Sequence, residues 1–317
     1  MCDASLKLKA ALVLACLSLA ACGESSEPVS SSPAPAAAVT RSERTWVDPT
    51  RPTPPNSMFP GASSRTLRTL IWQPATRTPL PLFIMAHGFD NLPEAFETLA
   101  STIAAAGFVV AAPAFPVTNH NAPGPAVTKL GDAGHQPADI SFVITQILAA
   151  NATAGDALQG RISADDIAVL GTSLGGTTVV ALTRKDCCRD PRVRASLLWA
   201  AAPIDILASL FGEDSIAAGP PTLVAHGTAD ETVPYKDSQT LYTQIDAPKV
   251  FLGIAGATHG SSILATTLPL TVVQEVSARA IVAFLNAMFR GDNAALDDTL
   301  AALEAEGNTV QRDGTLP

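Results

Sequence analysis

Residues 165–180, DDIAVLGTSLGGTTVV, decide how the chain is read. Residues 167–170 are an apolar run of strand length, and 174–182 read as a helix packed through small side chains. Between them a lone serine, Ser173, is flanked by Gly171, Gly175 and Gly176. A serine at a strand-to-helix junction sits on a sharp turn, and glycine around it removes Cβ atoms that would clash there. The spelling G-x-S-x-G is that of an elbow presenting a nucleophile, provided a strand precedes it and a helix follows.

The rest of the chain supplies that setting. From about residue 65, apolar strands alternate with helical stretches. Strands are expected at 67–72, 82–86, 108–112, 166–170, 195–200, 222–225 and 250–254, and helices at 93–106 and 138–150. A long Pro/Gly/Asn-rich loop covers 113–136. Alternation of this kind predicts a mostly parallel sheet with helices on both faces. There is no internal repeat, so residues 46–317 read as one domain. Only about 17 residues separate the strand near Pro203 from the one near Thr222, too few for a large cap domain.

A serine hydroxyl is a poor nucleophile near neutral pH. It needs a base, and the base needs a partner that holds its tautomer. Behind an elbow of this type the order is serine, acid, histidine. Of the five histidines, His87, His120 and His135 precede Ser173, and His226 precedes Asp230. His259 satisfies the order with Asp230. Asp205 is the rival acid, since both aspartates lie just beyond predicted strands, where open α/β sheets bind ligands; a helix N-cap is its plainer reading. The developing oxyanion needs N–H donors, and the N–H of Leu174, directly after the serine, is the first.

Ala86-His87-Gly88-Phe89, the loop PAFPVTNHNAPG (113–124), QPADI (136–140), GTSLGG, CCRDPRV (187–193), HGTADETVP and GATHG together resemble the α/β-hydrolase superfamily. Within it the chain is most similar to dienelactone-hydrolase-like and to platelet-activating-factor-acetylhydrolase- and chlorophyllase-like serine esterases. The resemblance spans about 65–290 and implies an α/β-hydrolase fold without a large cap. It also implies a Ser173–Asp230–His259 triad acting on carboxylic esters through an acyl-enzyme. It favours Asp230 over Asp205, gives the second oxyanion donor as the N–H of Phe89, and makes His87 structural. The nucleophile is serine where dienelactone hydrolases have cysteine, and threonine stands where G-H-S-x-G has histidine. Asn119, His120 and Asn121 are candidates for substrate contact or for bonds within their own loop.

The formal net charge is −9 with no Lys/Arg cluster, which argues against nucleic-acid binding. Lys7 and Lys9 precede an apolar run at 10–21, too short to span a bilayer. It ends in Leu19-Ala20-Ala21-Cys22, which resembles a bacterial lipobox. Residues 1–21 are then a leader and Cys22 carries lipid, giving an exported, membrane-anchored protein; an ordinary secretory leader is the alternative. Gly23 points to the outer membrane in a Gram-negative host. Residues 22–45, rich in Ser, Pro and Ala, read as a tether.

Cys187 and Cys188 are adjacent and lack the C-x-x-C spacing of a zinc site. In an exported chain they form a vicinal disulfide or stay as buried thiols. No metal, cofactor or obligate protein partner is expected. Two other readings remain: amide, peptide or thioester cleavage by the same triad, and a degenerate hydrolase fold serving as a binding protein.

Overall fold

The computed structural model describes residues 38–317 except 202–203 and 213–215, together with the side chains outside 204–207. The expected leader, Cys22 and the first part of the tether lie outside the described residues. In chain order the strands are β1 (Val39–Asp48), β2 (Arg65–Pro74), β3 (Leu80–Ala86), β4 (Val109–Pro113), β5 (Ile162–Thr172), β6 (Val193–Trp199), β7 (Thr222–Gly227), β8 (Lys249–Ile254) and β9 (Thr309–Asp313). The helices are α1 (Glu97–Ala105), α2 (Ala126–Leu130), α3 (Gln136–Ala152), α4 (Leu174–Arg184), α5 (Ile204–Phe211), α6 (Tyr235–Gln244), α7 (Val272–Arg290) and α8 (Asn293–Ala305).

All nine strands form one sheet in the order β1-β2-β4-β3-β5-β6-β7-β8-β9. The central pairs from β4 to β8 are parallel, whereas β1, β2 and β9 pair antiparallel. The inner strands are mostly apolar over their buried stretches because both faces are covered. Alternate residues of β3 divide between the two faces: Phe83 and Met85 join the core under α1, α7 and α8, while Leu82, Ile84 and Ala86 join the one under α3, α4 and α6.

The structure corrects the start of the domain. Residues 39–45, expected in the tether, belong to β1, which pairs with β2 from Val39↔Pro74 to Asp48↔Arg65. The pairing uses backbone groups that apolar periodicity does not report. Charged Arg41, Glu43 and Arg44 suit an outer strand, where they discourage further pairing. Arg44 is also tied to Asp156 at 2.9 Å.

A buried ionic cluster fastens the long loop ahead of α3. Fully buried Arg65 donates to Asp132 at 2.8 and 2.9 Å and to Asp139 at 2.7 and 2.6 Å. Arg51 adds bonds to Asp48 at 2.6 Å and to Asp139 at 2.8 Å. Stripping one partner from such a cluster leaves an uncompensated buried charge, at a cost of about 3–5 kcal/mol. The loop between β4 and α3 is thus bolted down by charge, and it carries α2 where no helix was expected.

Cys187 and Cys188 are joined by a disulfide beyond the far end of α4. Eleven helical residues separate that end from Ser173, a length of roughly 16 Å. The disulfide therefore belongs to the helix-to-strand connection and not to the serine's surroundings.

Candidate active site

Ser173 stands at the carboxyl end of β5 with φ 55° and ψ −122°, outside the regions an L-residue favours. Such a conformation costs about 1–3 kcal/mol and persists only where neighbours over-determine it. They do so here. The Ser173 N–H donates to the Trp199 carbonyl at 2.8 Å, and the Ser173 carbonyl accepts from Thr177 at 3.1 Å. A Cβ at Gly171 would fall 2.0 Å from the Gly175 carbonyl oxygen, and one at Gly175 would fall 2.3 Å from that of Ala86. Only glycine lets α4 turn back this closely on the sheet.

Trp199 also reaches across to the histidine loop. Its indole N–H donates to the Ser262 hydroxyl at 3.1 Å, three residues beyond His259. The same loop is fixed to the start of α1 through Thr98 N–H to Ala265 O and Ala265 N–H to Ala95 O, both 2.8 Å. One buried tryptophan thus braces the serine's backbone and the loop of the expected base.

Asp230 follows β7, and its carboxylate is wholly enclosed. Oδ1 accepts the Thr232 and Val233 N–H groups at 2.8 and 3.0 Å, while Oδ2 lies 2.7 Å from His259 Nδ1. Burial pushes the carboxyl up, but the bonds from Val233, His259 and Thr232 outweigh it and hold the group below the usual carboxylate range. An ionised Asp230 requires the hydrogen on His259 Nδ1, which leaves Nε2 free to accept one. The His259 ring is partly exposed. Backbone bonds join the two turns: Thr228 N–H to Ile254 O and Ala229 N–H to Ala257 O, both 2.9 Å. Asp205 is the second residue of α5, and its side chain lies outside the described residues.

The loop after β3 runs beside the serine. A Cβ at Gly88 would lie 3.1 Å from Ser173 Cβ and 3.7 Å from its Oγ. Buried His87 lies 2.7 Å from the Gly88 carbonyl through Nδ1 and accepts the Phe115 N–H at 3.1 Å through Nε2. The proton is therefore on Nδ1. The Gly88 carbonyl and the Phe89 N–H share one planar trans peptide, so fixing the first orients the second. Leu174 opens α4, so its N–H has no acceptor within the helix.

Asp90, with φ 54°, continues the loop and takes an ion pair from Lys129 of α2 at 2.6 Å. Lys129 also lies over the Phe89 ring at 5.6 Å. The Asp90 N–H donates to Thr118 O at 2.9 Å, the Thr118 hydroxyl takes a bond from Gln136, and Gln136 takes one from Thr178 of α4. The loop after β3 is thereby wired back to the helix that starts at the serine. Asn119 is spent within its own loop, on the carbonyls of Phe115 and Pro116, and His120 lies 3.2 Å from Asp90. Asn121 lines a cavity of about 440 Å³ with Phe59, Ser64, Thr66, Arg68 and Leu92.

His87 gives a test of this loop by pH. Burial pushes its imidazole down to about 4. The unfolded chain binds a proton near pH 6.5 that the native state refuses until about pH 4, so stability is lost as pH is lowered across that window, by up to about 3 kcal/mol. Urea unfolding at pH 7 and pH 4 should show a smaller loss in His87→Gln than in the wild type. Equal losses would acquit His87 as the titrating group.

The chain is similar to a solved structure. A ferulic acid esterase from Streptomyces cinnamoneus superposes with a TM-score of 0.61, covering 82% of this chain and 93% of that one, at 17% identity. The sheet order and this match agree. The chain has the α/β-hydrolase fold. The segment from 200 to 221 contains α5 and no further described helix or strand. No family model and no curated protein matches the sequence.

The structure thus brings Asp230 and His259 into contact, runs the loop of Gly88 beside Ser173 and places Leu174 at the start of α4, directly after the serine. Sequence reasoning passed over three residues that matter locally: Trp199, Lys129 and His226. His226 was set aside because it precedes Asp230 in the chain, yet its Nε2 lies 3.0 Å from Asp230 Oδ2. A histidine four residues before a candidate acid, at the end of a buried strand, was the available signal.

Proposed function

We propose that the protein is a serine hydrolase that cleaves carboxylic esters through Ser173, His259 and Asp230. The observation that carries this reading is the 2.7 Å contact between His259 Nδ1 and Asp230 Oδ2, at the same carboxyl end of the parallel strands as a serine held at positive φ. His259 Nε2 takes the hydroxyl proton as Ser173 Oγ attacks the ester carbonyl. The negative charge passes to the former carbonyl oxygen, which the N–H groups of Phe89 and Leu174 receive. Collapse expels the alcohol, protonated by His259, and leaves an acyl-enzyme. Water, deprotonated by His259, then attacks the acyl carbon, and the acid departs as Ser173 regains its proton.

The structural neighbour is described as an esterase of ferulic acid, so an aromatic-acid ester belongs in the test beside aliphatic ones. p-Nitrophenyl esters of graded acyl length, an ester of an aromatic acid and a matched anilide should be run together. The expected result is ester turnover with little anilide cleavage. Preferred anilide cleavage would reassign the reaction to amide hydrolysis, and no turnover of either would favour a binding role.

We further propose a lipid anchor at Cys22, supported by the lipobox-like spelling that ends the apolar run. Expressed with its leader in a bacterium that processes lipoproteins, the protein should incorporate labelled fatty acid and fractionate with membranes. Cys22→Ser should abolish the label; labelling unchanged in that variant would refute the anchor.

A further inference from the structure

Asp230 lies between two histidines, and the proposed mechanism uses only one. His226, the last residue but one of β7, is fully buried. Its Nε2 lies 3.0 Å from the Val233 carbonyl and 3.0 Å from Asp230 Oδ2, and both are acceptors. The ring hydrogen is therefore on Nε2, and Nδ1 must accept. Its partner is the hydroxyl of buried Ser238 on α6, at 2.6 Å. The Tyr235 ring meets the imidazole edge-on, 5.7 Å between centroids, and limits its rotation. Burial keeps the imidazole neutral by pushing its titration down. Enclosed, with its only hydrogen facing two acceptors, His226 is not built to exchange protons.

We propose that His226 is a positioning residue, its tautomer set by Ser238, that holds the Asp230 carboxylate in line for His259. The role rests on the Ser173–His259–Asp230 reading. A carboxylate turns about its last side-chain bond, and each oxygen must be held to keep one orientation. Oδ1 is held by the Thr232 and Val233 N–H groups. His259 cannot be the sole anchor for Oδ2, because its own orientation is what Asp230 must define. The N–H of His226, bonded to the Val233 carbonyl and 3.0 Å from Asp230 Oδ2, supplies an anchor from the rigid sheet. A shift of the acid would tilt the His259 ring, and misplacement by about 1 Å costs on the order of a hundredfold in rate.

The full-length chain should be compared as wild type, His226→Leu, His226→Gln and Ser238→Ala. The readouts are ester kinetics, fluorophosphonate labelling of Ser173, and the low-field proton resonance of the His259–Asp230 bond. The expected result for His226→Leu is a kcat lower by about ten- to a hundredfold with KM nearly unchanged, the pattern of a group that serves the transition state. Glutamine, which offers an N–H at similar reach, should recover most of that loss. Ser238→Ala should lower kcat several-fold and shift or broaden the low-field resonance, and it decides the matter if the leucine variant does not fold. A wild type that hydrolyses ester while the leucine or alanine variant keeps its full kcat would overturn the role of His226 alone. So would equal losses in leucine and glutamine variants, which mark a packing role. A wild type that neither hydrolyses ester nor labels at Ser173 would overturn the triad reading and this role with it.

Discussion

Ser173→Ala should lower kcat/KM for a p-nitrophenyl ester by at least about 10⁴-fold, since nucleophile and base act as a unit whose loss is nearly total. What remains would be the contribution of the oxyanion donors and of binding alone. The fold should survive. The substitution leaves the Ser173 N–H on Trp199 and its carbonyl on Thr177, and alanine meets the same positive φ at a similar cost. A thermal midpoint close to wild type would separate loss of chemistry from loss of structure. Mass spectrometry after fluorophosphonate treatment supplies the second reading: one adduct on the wild type and none on the variant. Ester turnover near the wild-type rate in the purified variant would sink the mechanism.

The elbow was legible because its physics is local. Gly171 is needed where β5 nearly touches α4 and Gly175 where α4 nearly touches the end of β3, and no other residue fits, so the requirement is written at those positions. The buried strands were legible for a similar reason: apolar runs between helical stretches must be covered on both faces. The outer strands were not. β1 carries Arg41, Glu43 and Arg44 and is held by backbone pairing and ion pairs to distant residues. Its composition is that of a tether even though its register with β2 is complete. α2 escaped notice because five residues in a Pro/Gly-rich loop show no period, and its Lys129 is fixed by a partner 39 positions away.

The site shows the same division. Ser173 and His259 could be chosen from turn chemistry and chain order, because each follows its own strand, and Asp230 was preferred to Asp205 through the resemblance of its turn. Most of their supports could not, since those are contacts between segments remote in sequence. Trp199 reaches Ser262 across 63 positions, and His87 receives the Phe115 N–H across 28. His226 lies only four residues from Asp230, but chain order excluded it as a base and said nothing of it as a donor. Order in the chain assigns roles along the path of the proton; it is silent about what keeps that path straight.

Asp230→Asn should be nearly as damaging as loss of the serine, and the reason lies in hydrogens. Oδ1 of Asp230 accepts two backbone N–H groups, so the amide oxygen of asparagine is the atom that must sit there. Its NH₂ then faces His259 Nδ1 and His226 Nε2, where Asp230 Oδ2 now lies at 2.7 and 3.0 Å. The His226 hydrogen meets donors instead of an acceptor. His259 resolves its own conflict by accepting at Nδ1, which puts its hydrogen on Nε2, towards the serine it should deprotonate. A wrong tautomer of this kind costs about 10⁴ in kcat with the geometry intact. Asp205→Asn should stay within about twofold, as a first-turn residue of α5 outside the chemistry would. If Asp205→Asn were the more damaging change, the acid would have to be reassigned. Stability gives an independent check with a definite sign. The folded-state titration of Asp230 lies below its unfolded value, so its charged form stabilises the native state above about pH 4. That contribution is lost as pH falls through the folded value, and asparagine has none to lose. The stability gap between wild type and Asp230→Asn should therefore shrink on acidification, as measured by urea unfolding from pH 7 downward. A gap that stays constant would mean that the carboxylate's charge is not what this site holds.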